Sequence, residues 1–129
     1  MAPVTDLQLD DMRATRTALE HITNKWSVLL LAVLCHEPSR FNELLHRLDG
    51  ITHKALSDAL KRLERNGLVT RTVIPTKPVG VEYSITELGQ SLREPIQSLS
   101  AWATQYGPAL ARARMAFDQA QAAPVRSNR

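Results

Sequence analysis

The hydrophobic period of this chain changes at a single glycine. Before Gly67 apolar residues recur every three or four positions; soon after it they alternate. Helices must therefore come first and a small sheet afterwards, because periods of 3.6 and 2.0 cannot share one element. Four helical segments precede the switch. The first covers Met12 to Ile22, with Ala18, Leu19 and Ile22 on one face. The second runs from Lys25 to Cys35 and is apolar almost all round (Trp26, Val28, Leu29, Leu30, Leu31, Val33, Leu34), the mark of a buried central helix. Pro38 disfavours helix in the residue before it and ends that segment. Ser39 is the expected cap of a third helix bearing Phe41, Leu44, Leu45 and Leu48, and Asp49-Gly50 stops it. Thr52 caps a fourth helix whose core stripe is Leu56, Leu60 and Leu63, closed by Asn66 and Gly67.

Beyond the switch, Leu68 to Ile74 is rich in Val, Ile and Thr. Val81 to Ile85 sets Val81, Tyr83 and Ile85 inward against Glu82 and Ser84 outward. With the proline-bearing stretch Pro75 to Gly80 between them, the two read as a hairpin. Thr86 caps a closing helical region in which Leu88, Leu92, Ile96, Leu99, Ala103, Tyr106 and Leu110 recur at helical spacing. Pro95 is expected to break or kink it, and Gly107-Pro108 to start a new segment. Residues 1–11 read as a flexible arm and 119–129 as a disordered tail. The folded domain is then 12–118, mainly α with a small β-hairpin wing: a winged helix-turn-helix.

A chain of 129 residues, 43% of them hydrophobic, fits one folded domain with a modest core. The stretch Met1 to Asp11 has neither the basic nor the apolar region of a secretory signal. The longest apolar run, Val28 to Cys35, falls far short of the roughly 20 residues that span a bilayer. A single cysteine cannot make an internal disulfide, which fits the reducing cytoplasm. The glycines form no phosphate-cradling loop or dinucleotide fingerprint, and Gly-x-Ser-x-Gly and His-Glu-x-x-His are absent. No enzyme and no cofactor are expected. His21, His36, His46 and His53 show no ligand pair four residues apart, so no metal site is expected. Cys35, at the end of an apolar helix, reads as a small hydrophobe rather than a redox sensor.

Charge is informative through its placement. Residues 1–24 carry a balance of −2, residues 25–77 of +4 and residues 78–129 of +1. A positive middle third suggests a polyanionic partner. Within it, the third helix, the turn Asp49 to Thr52 and the fourth helix form a helix-turn-helix candidate. On the fourth helix Lys54, Asp58, Lys61 and Arg65 are spaced four, three and four apart. At roughly 100° per residue they form one polar stripe about 140° from the core direction. An α-helix fits the major groove of duplex DNA and reads base edges from its N-terminal half. His53, Lys54, Ser57 and Asp58 are accordingly the candidate base-reading residues, with Lys54 suited to guanine and Asp58 to cytosine. Arg40, Thr52, Lys61, Arg62 and Arg65 are candidate phosphate contacts, joined by Lys77 as the one cation of the wing loop.

The segments Lys25-Trp26, Arg40-Phe41-Asn-Glu-Leu44, Gly50-Ile-Thr-His-Lys-Ala-Leu56, Leu60-Lys-Arg-Leu-Glu-Arg-Asn-Gly-Leu-Val69 and Val81-Glu-Tyr-Ser-Ile-Thr-Glu-Leu-Gly89 resemble the HxlR-type regulators, winged-helix relatives of the MarR group. The resemblance covers about residues 13–107. It implies a homodimer built from the first and last helices, around Met12 to Ile22 and Leu92 to Ala113, bound to a near-palindromic operator. Two positions depart from the family pattern. Where many members carry a cysteine before the first helix this chain has Arg13, and where many carry an arginine before Val-Glu-Tyr it has Gly80. Met12, Leu19, Ile22, Leu99, Trp102 and Tyr106 are candidates for the dimer interface or for a small-molecule effector pocket. A winged-helix module used for protein–protein contact is the alternative reading, since fold does not fix function. Non-specific coating of DNA is a third, although it calls for a more basic chain.

Overall fold

The computed structural model describes residues 9–122. Among them the order is α1 (Leu9–Ile22), α2 (Lys25–Leu34), β1 (Ser39–Arg40), α3 (Phe41–Arg47), α4 (His53–Arg65), β2 (Val69–Ile74), β3 (Gly80–Ile85), α5 (Glu87–Gln90) and α6 (Arg93–Ala122). One compact unit ends at Ile96, within α6; a second starts at Gln97. In the first, β3 is the central strand of an antiparallel sheet ordered β1-β3-β2. Ser39 pairs with Tyr83, and the β2–β3 ladder runs from Val69 opposite Ile85 to Ile74 opposite Gly80.

Local chemistry sets the helix ends. Asn24 caps α2 by accepting from the Trp26 N–H at 2.9 Å, and the Thr52 hydroxyl caps α4 by accepting from the Ala55 N–H at 3.0 Å. The C-terminus of α4 closes in a Schellman arrangement. Gly67 takes φ +75°, its N–H donates to the Glu64 carbonyl at 3.0 Å, and the Leu68 N–H donates to that of Leu63 at 2.9 Å. The chain thus turns straight from helix into strand, which is the structural form of the period switch. Leu63 and Leu68 are both buried and complete the motif.

The core gathers Leu30, Leu31 and Leu34 of α2, Leu44 of α3, and Leu56, Leu60 and Leu63 of α4, all at most 2% exposed. Val69, Tyr83 and Ile96 extend it across the sheet to the start of α6. Thr86 ties the end of α4 to α5. Its hydroxyl donates to the Gly67 carbonyl at 2.6 Å and accepts from the Gly89 N–H at 3.0 Å. Gly89 is buried so closely that a β-carbon there would collide with the Leu68 carbonyl oxygen and the Ile85 side chain.

Several expectations are corrected. Ser39 does not cap α3; it is buried in β1, and α3 starts after Arg40, whose N–H donates to the Glu43 carboxylate at 2.7 Å. That two-residue strand depends on pairing with the distant β3, so no local pattern announces it. Leu29 is 42% exposed, so α2 is not buried on every side. Pro95 falls in the first turn of α6, where its missing N–H would have had no helical partner. Gly107-Pro108 starts no new segment, because α6 passes through it. Gly107 lacks the β-carbon that would crowd the proline ring, and the neighbours are mostly strong helix formers. The same helix continues through 119–122, rich in Ala and Gln, and α1 already includes residues 9–11. The rest of the expected arm and tail, 1–8 and 123–129, lies outside the described residues.

Gly89→Ala should destabilise the domain by about 1–3 kcal/mol through overpacking, read as a lower midpoint in urea. An unchanged midpoint would show that α5 is not held against the Leu68 backbone.

Candidate nucleic-acid interface

Burial of the leucine stripe decides which way α4 faces. Leu56, Ala59, Leu60 and Leu63 point into the core, while His53, Lys54, Ser57, Asp58, Lys61 and Arg65 are exposed. Thr52 is exposed as well, its hydroxyl committed to the cap. The four residues expected to read bases thus share the outer surface of the N-terminal half of one helix.

Two of them are paired with each other. The Lys54 ammonium donates to the Asp58 carboxylate at 2.8 Å, with the side chains 85% and 54% exposed. The hydrogen bond and attraction to Lys54 hold the Asp58 carboxyl below its ordinary range, with smaller help from Arg62 and Lys61. The same contact pushes the Lys54 ammonium up. A solvent-exposed pair at this spacing is weak and opens readily when a better partner arrives. Arg62 is half-buried and reaches the Ser27 hydroxyl of α2 at 3.5 Å, so it stands at the border of the face.

The helix is flanked by two clefts, each of about 490 Å³. One separates α4 from the hairpin and is lined by Phe41, His53, Ser57, Lys61, Glu64 and Arg71 among others. The other is lined by His21, Asp58, Lys61, Arg62, Arg65 and Asn66, so Lys61 borders both. The His53 ring rests on Phe41, with centroids 4.6 Å apart and planes tilted by 49°. This contact couples the start of α4 to α3.

Lys77 is exposed in the loop between β2 and β3. Arg40 lies at the root of that wing. A β-carbon at Gly80 would fall 2.8 Å from its Nη1 and 3.2 Å from its Cζ, so the Arg40 guanidinium occupies the space that a side chain at position 80 would need. The missing wing arginine therefore has a cation in its place, delivered from a neighbouring strand.

Sequence reasoning missed Arg71 and His21. Arg71 could have been found from strand register. Val69, Arg71 and Val73 share one face of β2, and Arg71 sits opposite the inward-pointing Tyr83. A charge at an inward position shows that the sheet has run past the core and faces a cleft. His21 had no such signal, because its place beside Arg65 comes from packing of α1 on α4.

The six interface or pocket candidates divide between helices. On α1, Met12 is 53% and Leu19 43% exposed, while Ile22 is half-buried and lines an apolar cleft of about 250 Å³ with Leu68, Leu88 and Leu92. On α6, Leu99, Trp102 and Tyr106 are exposed, the two rings 5.7 Å apart. Cys35 is half-buried at the end of α2; burial pushes its thiol up, partly offset by Arg93. No helix of the described residues is long and apolar enough to cross a membrane.

A helix-turn-helix with a cationic second helix, followed by a hairpin wing, defines a DNA-binding regulator of the winged helix-turn-helix class. The chain belongs to the HxlR-like helix-turn-helix family, whose pattern residues 21–111 match. It is 36% identical over 88 residues to the HTH-type transcriptional regulator YtfH of Escherichia coli (strain K12), covering 68% of this chain and 70% of that protein. It is 38% identical over 90 residues to the HTH-type transcriptional regulator YodB of Bacillus subtilis (strain 168), covering 70% and 80%. The solved structure of YodB in its reduced form superposes with a TM-score of 0.63 at 34% identity, covering 78% of this chain and 94% of that one.

With its thiol pushed up by burial, Cys35 should stay protonated at neutral pH and react with a maleimide more slowly than a free-cysteine peptide. Labelling as fast as the peptide's at mildly alkaline pH would contradict this environment.

Proposed function

We propose that this chain acts as a homodimeric, sequence-specific regulator, a repressor in the simplest case, on a near-palindromic operator in the cytoplasm. The observation that carries the reading is the exposed polar face of α4, held outward by a fully buried leucine stripe. Each subunit inserts α4 into a major groove, and the two helices enter successive grooves on one side of the duplex, about 34 Å apart. His53, Lys54, Ser57 and Asp58 read base edges. Lys54 and Asp58 release each other on contact, Lys54 donating to guanine and Asp58 accepting from cytosine N4. Arg40, Thr52, Lys61, Arg62, Arg65 and Lys77 contact backbone and wing phosphates.

A second copy of the chain is the partner that the apolar stripes of α1 and α6 call for. Leu99, Trp102, Tyr106 and Leu110 follow one another at three- and four-residue steps and are 45–55% exposed. Exposed apolar rows of this length mark association surfaces. Met12, Leu19 and Ile22 offer a similar row on α1. A small-molecule effector would bind beside these residues, where it could shift one subunit against the other.

Two substitutions separate base reading from phosphate binding. Lys54→Ala should flatten discrimination between operator and random duplex. Arg65→Ala should weaken both alike and reduce the slope of log K against log salt by about one. Equal effects on specificity would contradict the assignment, and salt-insensitive or absent binding would favour a protein-contact module. Trp102→Glu should shift sedimentation from dimer toward monomer; an unchanged dimer would remove α6 from the interface.

A further inference from the structure

Two clefts of the first compact unit adjoin at the end of α1. The apolar one, of about 250 Å³, is walled by Ala18 and Ile22 of α1 together with Leu68, Leu88 and Leu92. The cationic one, of about 490 Å³, is walled by Lys61, Arg62 and Arg65 of α4. His21 and Asn66 line both. These two side chains are the seam between an apolar surface and a positively charged one.

The donors on the cationic side are open to a ligand. Asp58 is the only carboxylate in that lining, and Lys54 already holds it at 2.8 Å. Lys61 and Arg65 are exposed and in no ion pair among the described residues. At the seam, Asn66 donates one amide N–H to the Arg62 carbonyl at 2.8 Å, which leaves it a second. On the apolar side Leu88 is exposed, while Ile22 and Leu92 are half-buried. Apolar walls with a few convergent polar groups are the usual make-up of a small-molecule site. A phosphate strand would engage the cations and leave the leucines in water. An apolar helix would cover the leucines and strip water from cations it cannot pair, which is costly. A molecule with an apolar body and an anionic head satisfies both sides.

We propose that the adjoining clefts bind a small amphipathic carboxylate. Its apolar body packs against Ile22, Leu68, Leu88 and Leu92, and its head is held by His21, Asn66 and Arg65. Its effect on DNA rests on the DNA-binding reading proposed above. Arg65 serves both ligands, so a carboxylate that occupies it withdraws it from the duplex. The molecule then lowers duplex affinity, and the duplex lowers affinity for the molecule by the same factor.

The test is a titration of the full chain with octanoate, followed by methyl and amide chemical shifts, with octanol and acetate as the headless and tailless controls. Octanoate should cause saturable shifts at Ile22, Leu68, Leu88, Leu92 and Asn66 and bind more tightly than either control. Arg65→Ala should weaken octanoate roughly tenfold, the scale of one charge-assisted hydrogen bond, and leave octanol unchanged. Leu88→Asp, an exposed substitution whose fold is checked by circular dichroism, should abolish octanoate binding. Saturating octanoate should weaken a labelled duplex roughly tenfold, within the usual range of coupling between sites. No saturable shift at millimolar octanoate, or equal binding of octanol that Arg65→Ala does not change, would overturn the site. Cleft methyls that shift with protein concentration and not with octanoate would give the surface to a second copy and overturn it as well. Octanoate that binds without weakening the duplex would overturn the coupling. A wild type that binds octanoate but no duplex would overturn the DNA-binding reading and leave the site standing.

Discussion

The orientation of one helix rests on the burial of three leucines. Leu56, Leu60 and Leu63 are at most 1% exposed and meet Leu30, Leu31 and Leu34 of α2 in the core. Burying each such side chain contributes about 1.5–3 kcal/mol, far more than any surface charge pair on the same helix. Apolar packing therefore fixes the rotation of α4 about its axis. The polar stripe stands outward as a by-product, since residues on opposite sides of a helix cannot both face the core. The Thr52 cap and the Schellman closure at Gly67 then fix where the helix starts and ends, and so how far the hairpin lies from it.

On that frame the charges divide by task. Lys54 and Asp58 sit in the N-terminal half of α4 and are paired with each other; under the proposed function a duplex replaces that pair. Lys61 and Arg65, which are in no ion pair among the described residues, lie further along, and Arg71 lines a cleft with Lys61 from the hairpin. At the wing root, Gly80 leaves its space to the Arg40 guanidinium, so a cation reaches the wing from β1. Under the proposed function, sequence specificity and general affinity depend on different residues, although a single helix carries most of both.

Much of this is legible in the order of the residues. The leucine stripe, the Thr52 cap and Gly67 locate α4 to within a residue, because each is a local signal with a local cause. The hairpin is equally readable from its change of period. Three features are not. Strand β1 exists only through pairing with β3, so Ser39 resembles a helix cap. The cation at the wing root is hidden because Arg40 and Gly80 lie far apart along the chain and meet only across the sheet. Pro108 resembles a helix start, since an interior proline is costly, yet Gly107 and the surrounding helix formers carry α6 through it. The Lys54–Asp58 pair, by contrast, is foreseeable, as opposite charges four apart on a helix meet routinely.

The outer face of α4 is proposed to enter a DNA groove. That entry is tested most directly by mapping backbone amide shifts of the full chain during titration with duplex DNA. The largest changes should fall on α4 from His53 to Arg65, with a second group at Arg71 and the wing loop. Changes confined to α1 and α6, with α4 silent, would contradict it.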